Sequence, residues 1–305
     1  NIGGGFKLWL NDSLSSLSAL EGVTSIGGNL KISRNDLLTS LNGLEELNYI
    51  GGDFTIINSN ALTNLTGLEG LTNVGEDFTI QSNDSLINLE GPDSLSMIEG
   101  SFIIGGIQSQ ENQALINLDG MESLTYIGGD LTIYNNNALT NLEGLEDLNF
   151  IGGKLEIIYN QNMASIEGLE GLINIGGDFE LDGNGSLNSL QELEHLNTVG
   201  GDFKILYHNL IRLAGLEELT TTGGSLAIDG GYTGNNSLIN LCGLEGLTSI
   251  NRDISIINHD SLNSLTGLDN LDANSIDSLF IHGNNSLSTC TVQSICDYLT
   301  SPNGI

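Results

Sequence analysis

The stretch IGGDLTIYNNNALTNLEGLEDLNF occupies residues 127–150, and the next 24 residues begin IGGKLEIIYNQNMASIEGLEGL. Counted from the Ile or Val before the glycine pair, the same unit begins at Ile2, Ile26, Ile50, Val74, Ile98, Ile127, Ile151, Ile175, Val199, Thr222 and Ile250. A degenerate twelfth begins near Ser275. The spacing is 24 residues, with one unit of 23 and two of 29 and 28. A fixed period in this range is the signature of a solenoid.

Within the quoted unit, apolar residues fall at positions 1, 5, 7, 13, 16, 19 and 22: Ile127, Leu131, Ile133, Leu139, Leu142, Leu145 and Leu148. Positions 5 and 7 alternate with polar neighbours, which predicts a short strand with one face inward. The three-residue spacing that follows is too brief for an ordinary amphipathic helix and suits a tight coil. Gly128 and Gly129, at positions 2 and 3, mark a corner where a side chain is unwelcome or φ is positive. One unit cannot bury seven apolar residues alone. Stacked units can, with like residues in columns about 4.8 Å apart, so twelve coils give a rod of roughly 58 Å.

The expected architecture is all-β: a parallel β-solenoid of about twelve 24-residue coils over residues 1–289, closed by a cap over 290–305. Within the cap, Val292, Ile295, Cys296 and Leu299 predict a short helix over about 291–299 with those residues inward, and Thr289 or Thr291 as its N-cap. Cys290 takes position 16 and is expected inside. Cys290 and Cys296 are the candidate disulfide, suited to an oxidising compartment. Cys242 stands at an outward position with no local partner. The chain starts without Met and shows no cap before the first coil, so it is read as a segment of something longer.

The pattern I-G-G-x-L-x-I-x-x-N-x-x-L-x-x-L-x-G-L-E-x-L, over residues 2 to about 289, resembles the receptor L-domain-like, leucine-rich-repeat-like solenoids of secreted and surface proteins of bacteria. The closing CTVQSICDYLTSPNGI is similar to the end of such proteins, which a type IX sorting signal often follows. The resemblance implies a right-handed coil, a surface or secreted location, and a binding or adhesive role. It carries no catalytic motif. The chain departs from the pattern at Pro92, where position 19 is usually Leu, and at SINRD, where the glycine pair is lost.

Thirty-nine acidic and seven basic residues leave a net charge of −32. Nucleic acid is excluded as a partner, because binding it needs clustered Lys and Arg to replace phosphate counterions. No apolar run approaches the ~20 residues of a membrane-spanning helix, so no membrane insertion is expected. Such a chain suits a saline, extracellular setting.

Position 20 holds Glu21, Glu45, Glu69, Asp93, Glu122, Glu146, Glu170, Glu194, Glu217, Glu245 and Asp269. Neighbouring carboxylates in such a column repel by about 0.9 kcal/mol per pair in water. Solvation and the N–H groups of the GLE turn are one relief; Ca²⁺ is the other. Position 4 holds Asp53, Asp77, Asp130, Asp178, Asp202 and Asp253, and Glu156, Glu180 and Asp182 add to the outward strand face. These carboxylates raise polysaccharide acid–base chemistry as a minor reading. Lys154 beside Asp178 and Lys204 beside Glu180 favour plain cross-strand pairing instead. The four histidines show no zinc spacing, and no cofactor is expected. The threonine column Thr55, Thr79 and Thr132 is interrupted by Lys31, Ile103 and Glu156, which argues against an ice-binding array.

The candidate ligand surface lies at the irregularities. Extra residues fall at 105–113 and 229–237, after the same strand. Solenoid insertions tend to gather on a functional face. Between them the outward face carries Tyr134, Ile158 and Leu206, with Tyr159 and Tyr207 alongside. Together with Gln108 and Tyr232 from the loops, Tyr134, Ile158, Leu206 and Tyr207 are the expected contacts for a protein or glycan. The leading expectation is a non-catalytic recognition or adhesion module. A spacer packing against copies of itself is the alternative.

Overall fold

The computed structural model describes residues 1–107, 110–231, 237–289 and 291–302. Among these, twelve four-residue strands form one parallel sheet in strict chain order, from Phe6–Trp9 through Leu131–Tyr134 to Leu279–His282. A second parallel sheet stacks ten two-residue strands, from Ser25–Ile26 to Ser249–Ile250. An isolated Ile2–Ile26 bridge extends it by one coil. The chain is therefore a parallel β-solenoid of about eleven turns. Its register is the sequence repeat: Phe54, Thr55, Ile56 and Ile57 pair with Phe78, Thr79, Ile80 and Gln81.

The seven expected columns are the core. All seven apolar residues of the quoted coil are fully buried, as are the equivalents in the other inner coils, while most of those in the two end coils are partly buried. Each buried Leu or Ile contributes roughly 1.5–3 kcal/mol relative to exposure. At position 5 phenylalanines stack along the axis. Phe54 and Phe78 have ring centroids 4.6 Å apart, and Phe179 and Phe203 4.5 Å. Pro92 occupies its inward position without breaking the coil, and its carbonyl accepts from Leu95 N–H at 2.8 Å.

The corner asparagines form a buried ladder. Asn160 Oδ1 accepts the N–H of Asn136 at 2.8 Å, and its Nδ2 donates to the carbonyl of Ile133 at 2.9 Å. Both partners belong to the preceding coil. Asn83, Asn112, Asn136 and Asn184 repeat both bonds. Asn112 joins this column although it follows the inserted residues. It shows that the first insertion ends before residue 112, and that the ladder closes beneath it.

A second ladder runs the other way at position 4. Asp53 Oδ1 accepts the N–H of Asp77, Asp77 that of Ser101, Asp130 that of Lys154, and Asp178 that of Asp202. Here each acceptor serves the following coil. The glycine pairs are explained by close approach rather than by positive φ: a Cβ on Gly152 or Gly176 would collide with the carbonyl of the glycine one coil before.

Two features lay outside the sequence reading. Position 9, just after each long strand, is left-handed in most coils even without glycine: φ is 54° at Arg34, 55° at Asn135, 57° at Tyr159 and 50° at Tyr207. The glycine at position 18 is also left-handed, as at Gly168 (φ 108°), and its Cβ would strike the carbonyl of Leu142. Where Ala19 and Glu192 replace it, the backbone winds into 3₁₀ turns at Ser18–Leu20 and Gln191–Leu193. The extra torsional freedom of glycine thus selects the turn type.

The single α-helix among the described residues is Gln293–Thr300. Its inward face is Val292, Ile295 and Tyr298; Cys296 is exposed and Leu299 is 63% exposed. This corrects the expected inward set. Residues 292, 295 and 298 share one face at i, i+3 spacing. Tyr298 hydroxyl reaches the carbonyl of Asp277 at 3.1 Å, which satisfies its buried polar end. The N-cap residue is Val292, with no side-chain cap, and Thr289 and Thr291 bond to each other instead. Cys290, the other member of the candidate disulfide, lies outside the described residues.

Candidate functional site

One outward column of the long-strand sheet runs Gly105, Tyr134, Ile158, Asp182, Leu206 and Asp229, each in register with the next. Both insertions leave this column. The first departs after Gly105, the strand neighbour of Tyr134. The second departs after Asp229, the neighbour of Leu206. The two loops therefore bracket the stretch between them, five strand spacings or about 24 Å long. Gln81 Nε2 and Asn135 Nδ2 bond the carbonyls of Gly105 and Gly106 and hold the base of the first. Asp229 Oδ1 accepts from Gly231 N–H and Asn258 Nδ2 at the base of the second. Gln108 and Tyr232, expected contacts from the inserted segments, lie outside the described residues.

The other expected contacts divide. Tyr134 is half-buried, and its hydroxyl donates to Glu156 Oε2 at 3.0 Å. Ile158 is only 7% exposed, so it forms the floor of the face rather than a contact point. Leu206 is partly exposed. The most prominent aromatics are Tyr159 and Tyr207, 47% and 41% exposed. Left-handed backbone turns them out of the sheet. The ring of Tyr159 fills the space where a Cβ of Gly183 would stand, and that of Tyr207 fills the same space at Gly231. Two tyrosines thus rest on glycines, two coils or about 9.6 Å apart.

Charged groups line the neighbouring column of Thr132, Glu156, Glu180 and Lys204. Lys154 Nζ lies 3.4 Å from Asp178 and 3.8 Å from Glu156. Lys204 Nζ lies 3.1 Å from Asp202 and 3.9 Å from Glu180. Lys154–Asp178 and Lys204–Glu180 are the expected cross-strand pairs; Glu156 and Asp202 are neighbours within the same coil. Such exposed pairs contribute at most about 1 kcal/mol each. Burial raises the pKa of Glu180 against the pull of Lys204, with Glu156 adding repulsion. Burial also raises the pKa of Asp182, which a hydrogen bond from Tyr159 partly offsets. Asp182 Oδ1 is buried without a partner among the described residues. In Asp202 partial burial is outweighed by the N–H of Ser225 and by Lys204, and its pKa falls.

The acidic edge is built differently. Both oxygens of Glu45 take the N–H of Gly43 at 2.9 Å, and Glu69, Glu122, Glu146, Glu170, Glu217 and Glu245 repeat the contact with their own position-18 glycines. A backbone N–H at each carboxylate relieves part of the repulsion along the column. Among the described residues no group of three or more His, Cys, Asp or Glu gathers as a metal site. No described helix is long and apolar enough to cross a membrane.

Histidine stands in place of the corner asparagine at His208 and His259, and the structure brings the two together. His208 and His259 lie two coils apart in sequence, yet their ring centroids are 5.4 Å apart. His259 Nε2 contacts the carbonyl of Ile228 at 3.2 Å, the bond that asparagine makes elsewhere. Burial lowers the pKa of both, that of His208 to about 3 with a further push from His259. Recurrence of His at the asparagine position was the available signal; their approach across the second insertion was not legible.

No family model matches the chain, and no curated protein is similar to it in sequence.

Proposed function

We propose that the chain is a non-catalytic recognition or adhesion module of the leucine-rich-repeat, receptor L-domain-like kind, acting outside the cell. Its partner is a glycan chain lying along the stack between the two loops. The observation that carries this reading is the tyrosine pair on its glycine seats, with the carboxylates of Glu156, Glu180 and Asp182 alongside. Aromatic faces pack on the apolar faces of sugar rings, and carboxylates accept hydrogen bonds from sugar hydroxyls. The buried Ile158 and the ion pairs of Lys154 and Lys204 keep the floor rigid, which lowers the ordering cost of binding.

A glycan array on the full chain tests the proposal, followed by titration of any hit against Tyr159→Ala and Tyr207→Ala. Loss of at least tenfold in affinity for each variant is expected. Binding untouched by both variants would remove the tyrosine face from consideration. Polysaccharide cleavage abolished by Glu180→Gln would replace recognition with catalysis.

A further inference from the structure

The strand face changes charge along the rod in the columns of positions 6 and 8; the position-4 aspartates Asp53 and Asp77 beside them each give one oxygen to a backbone N–H of the next coil. In its two outward columns, the first six coils read Lys7, Lys31, Thr55, Thr79, Ile103 and Thr132, and Trp9, Ser33, Ile57, Gln81, Gly105 and Tyr134. Neither column contains a carboxylate before Glu156, in a chain with 39 of them. Three of the seven cations, Lys7, Lys31 and Arg34, fall in the first two coils. Lys7 and Lys31 are direct register partners, so their charges stack in one column. Among the described residues the ion pairs involve Lys154 and Lys204, and none involves these three. Lys7 Nζ lies 4.5 Å from the ring centroid of Trp9, a residue 51% exposed.

Two depressions flank the lysine column. One, of about 330 Å³, is lined by Asn29, Asp53 and Thr55 with both lysines. The other, of about 300 Å³, is lined by Trp9, Ser33, Arg34 and Asn58 with the same lysines. Volumes of this size stand at the low end for small-ligand sites.

We propose that the first two coils form a second binding site, for a short segment of an acidic glycan. Lys7, Lys31 and Arg34 take its carboxylate or sulfate groups, and Trp9 takes a sugar face. A bare inorganic anion would use neither the indole nor the amide and hydroxyl groups of the depressions. A long polyanion would meet the net charge of the whole rod, so the site favours a short segment. The site lies about five coils, or roughly 24 Å, from Tyr159 and does not depend on the tyrosine face.

Trp9 is the one tryptophan of the chain, so its fluorescence reports on this site directly. The full chain is titrated with an oligogalacturonate, a sulfated oligosaccharide, a neutral oligosaccharide of equal length, and sodium sulfate. A saturable change with the carboxylated or the sulfated sugar is expected, and which of the two responds identifies the acid group. Lys7→Ala and Lys31→Ala should each weaken it at least tenfold with unchanged melting, while Tyr159→Ala leaves it intact. An equal response to the neutral sugar overturns the proposal. So do sulfate matching the sugar's affinity, a signal that tracks protein concentration alone, and binding that survives the double lysine variant.

Discussion

The N–H of Asn136 donates to Oδ1 of Asn160 at 2.8 Å, both residues fully buried and one coil apart. The bond recurs along the rod and couples each corner to the next. Asn160→Ala would strand this N–H in the interior and remove the side-chain bond to the Ile133 carbonyl, which keeps its place in the strand ladder. A buried group left without its partner costs about 1–3 kcal/mol, so a loss of roughly 2–4 kcal/mol is expected in urea unfolding. At Ser59 the ladder has a natural gap, since its buried Oγ has no partner. Ser59→Asn should therefore raise the unfolding midpoint.

The left-handed glycines differ in what surrounds them. At Gly168 a new Cβ meets the backbone of Leu142, whereas at Gly22, also left-handed with φ 82°, nothing lies within 4 Å. Gly168→Ala should destabilise by about 2 kcal/mol or more, combining strain and collision. Gly22→Ala should cost about 1 kcal/mol, the torsional part alone. Equal losses at the two sites would contradict close coil stacking at the position-18 corner of Gly168.

His208 provides a pH test. Its folded pKa, about 3, lies below the ordinary 6.5 because burial disfavours the imidazolium. The unfolded chain therefore takes up a proton between these values while the folded chain does not. This contribution to stability is complete above about pH 6.5 and is lost as pH falls toward 3, by up to about 1.4 kcal/mol per pH unit. His259 shifts in the same direction. Denaturation of the wild type and of His208→Asn/His259→Asn across pH 7 to 4 should show a shallower decline in the variant. Parallel curves would mean that the pair titrates normally.

Relief of the acidic edge by glycine N–H groups also has a thermal consequence. Melting in Ca²⁺, in EDTA and in NaCl of matched ionic strength should give the same Tm. A saturable rise with Ca²⁺ alone would assign a cation to the edge, because a ligand of the folded state raises its stability.

The seven core columns, the parallel register and the inward strand face were legible because each is a periodicity: apolar residues must recur wherever the chain turns inward. So were the cross-strand partners of Lys154 and Lys204, since stacking fixes which residues are neighbours. The capping helix was legible as an element, but its inward face was misjudged. Leu299 looks equivalent to Tyr298 until the carbonyl of Asp277 gives the tyrosine hydroxyl its partner. Ile158 looked exposed by its strand position, and only the packing around it decided otherwise.

What the amino-acid sequence determined by itself was the repeat, because one coil cannot bury its own leucines and every coil carries the same ones. What the tertiary structure alone decided was the use of the polar residues. Whether an asparagine reaches back a coil, an aspartate reaches forward, or a tyrosine leaves the sheet depends on which backbone groups and glycines the stack sets beside it. Those neighbours lie a full coil away along the chain, so the local sequence cannot name them.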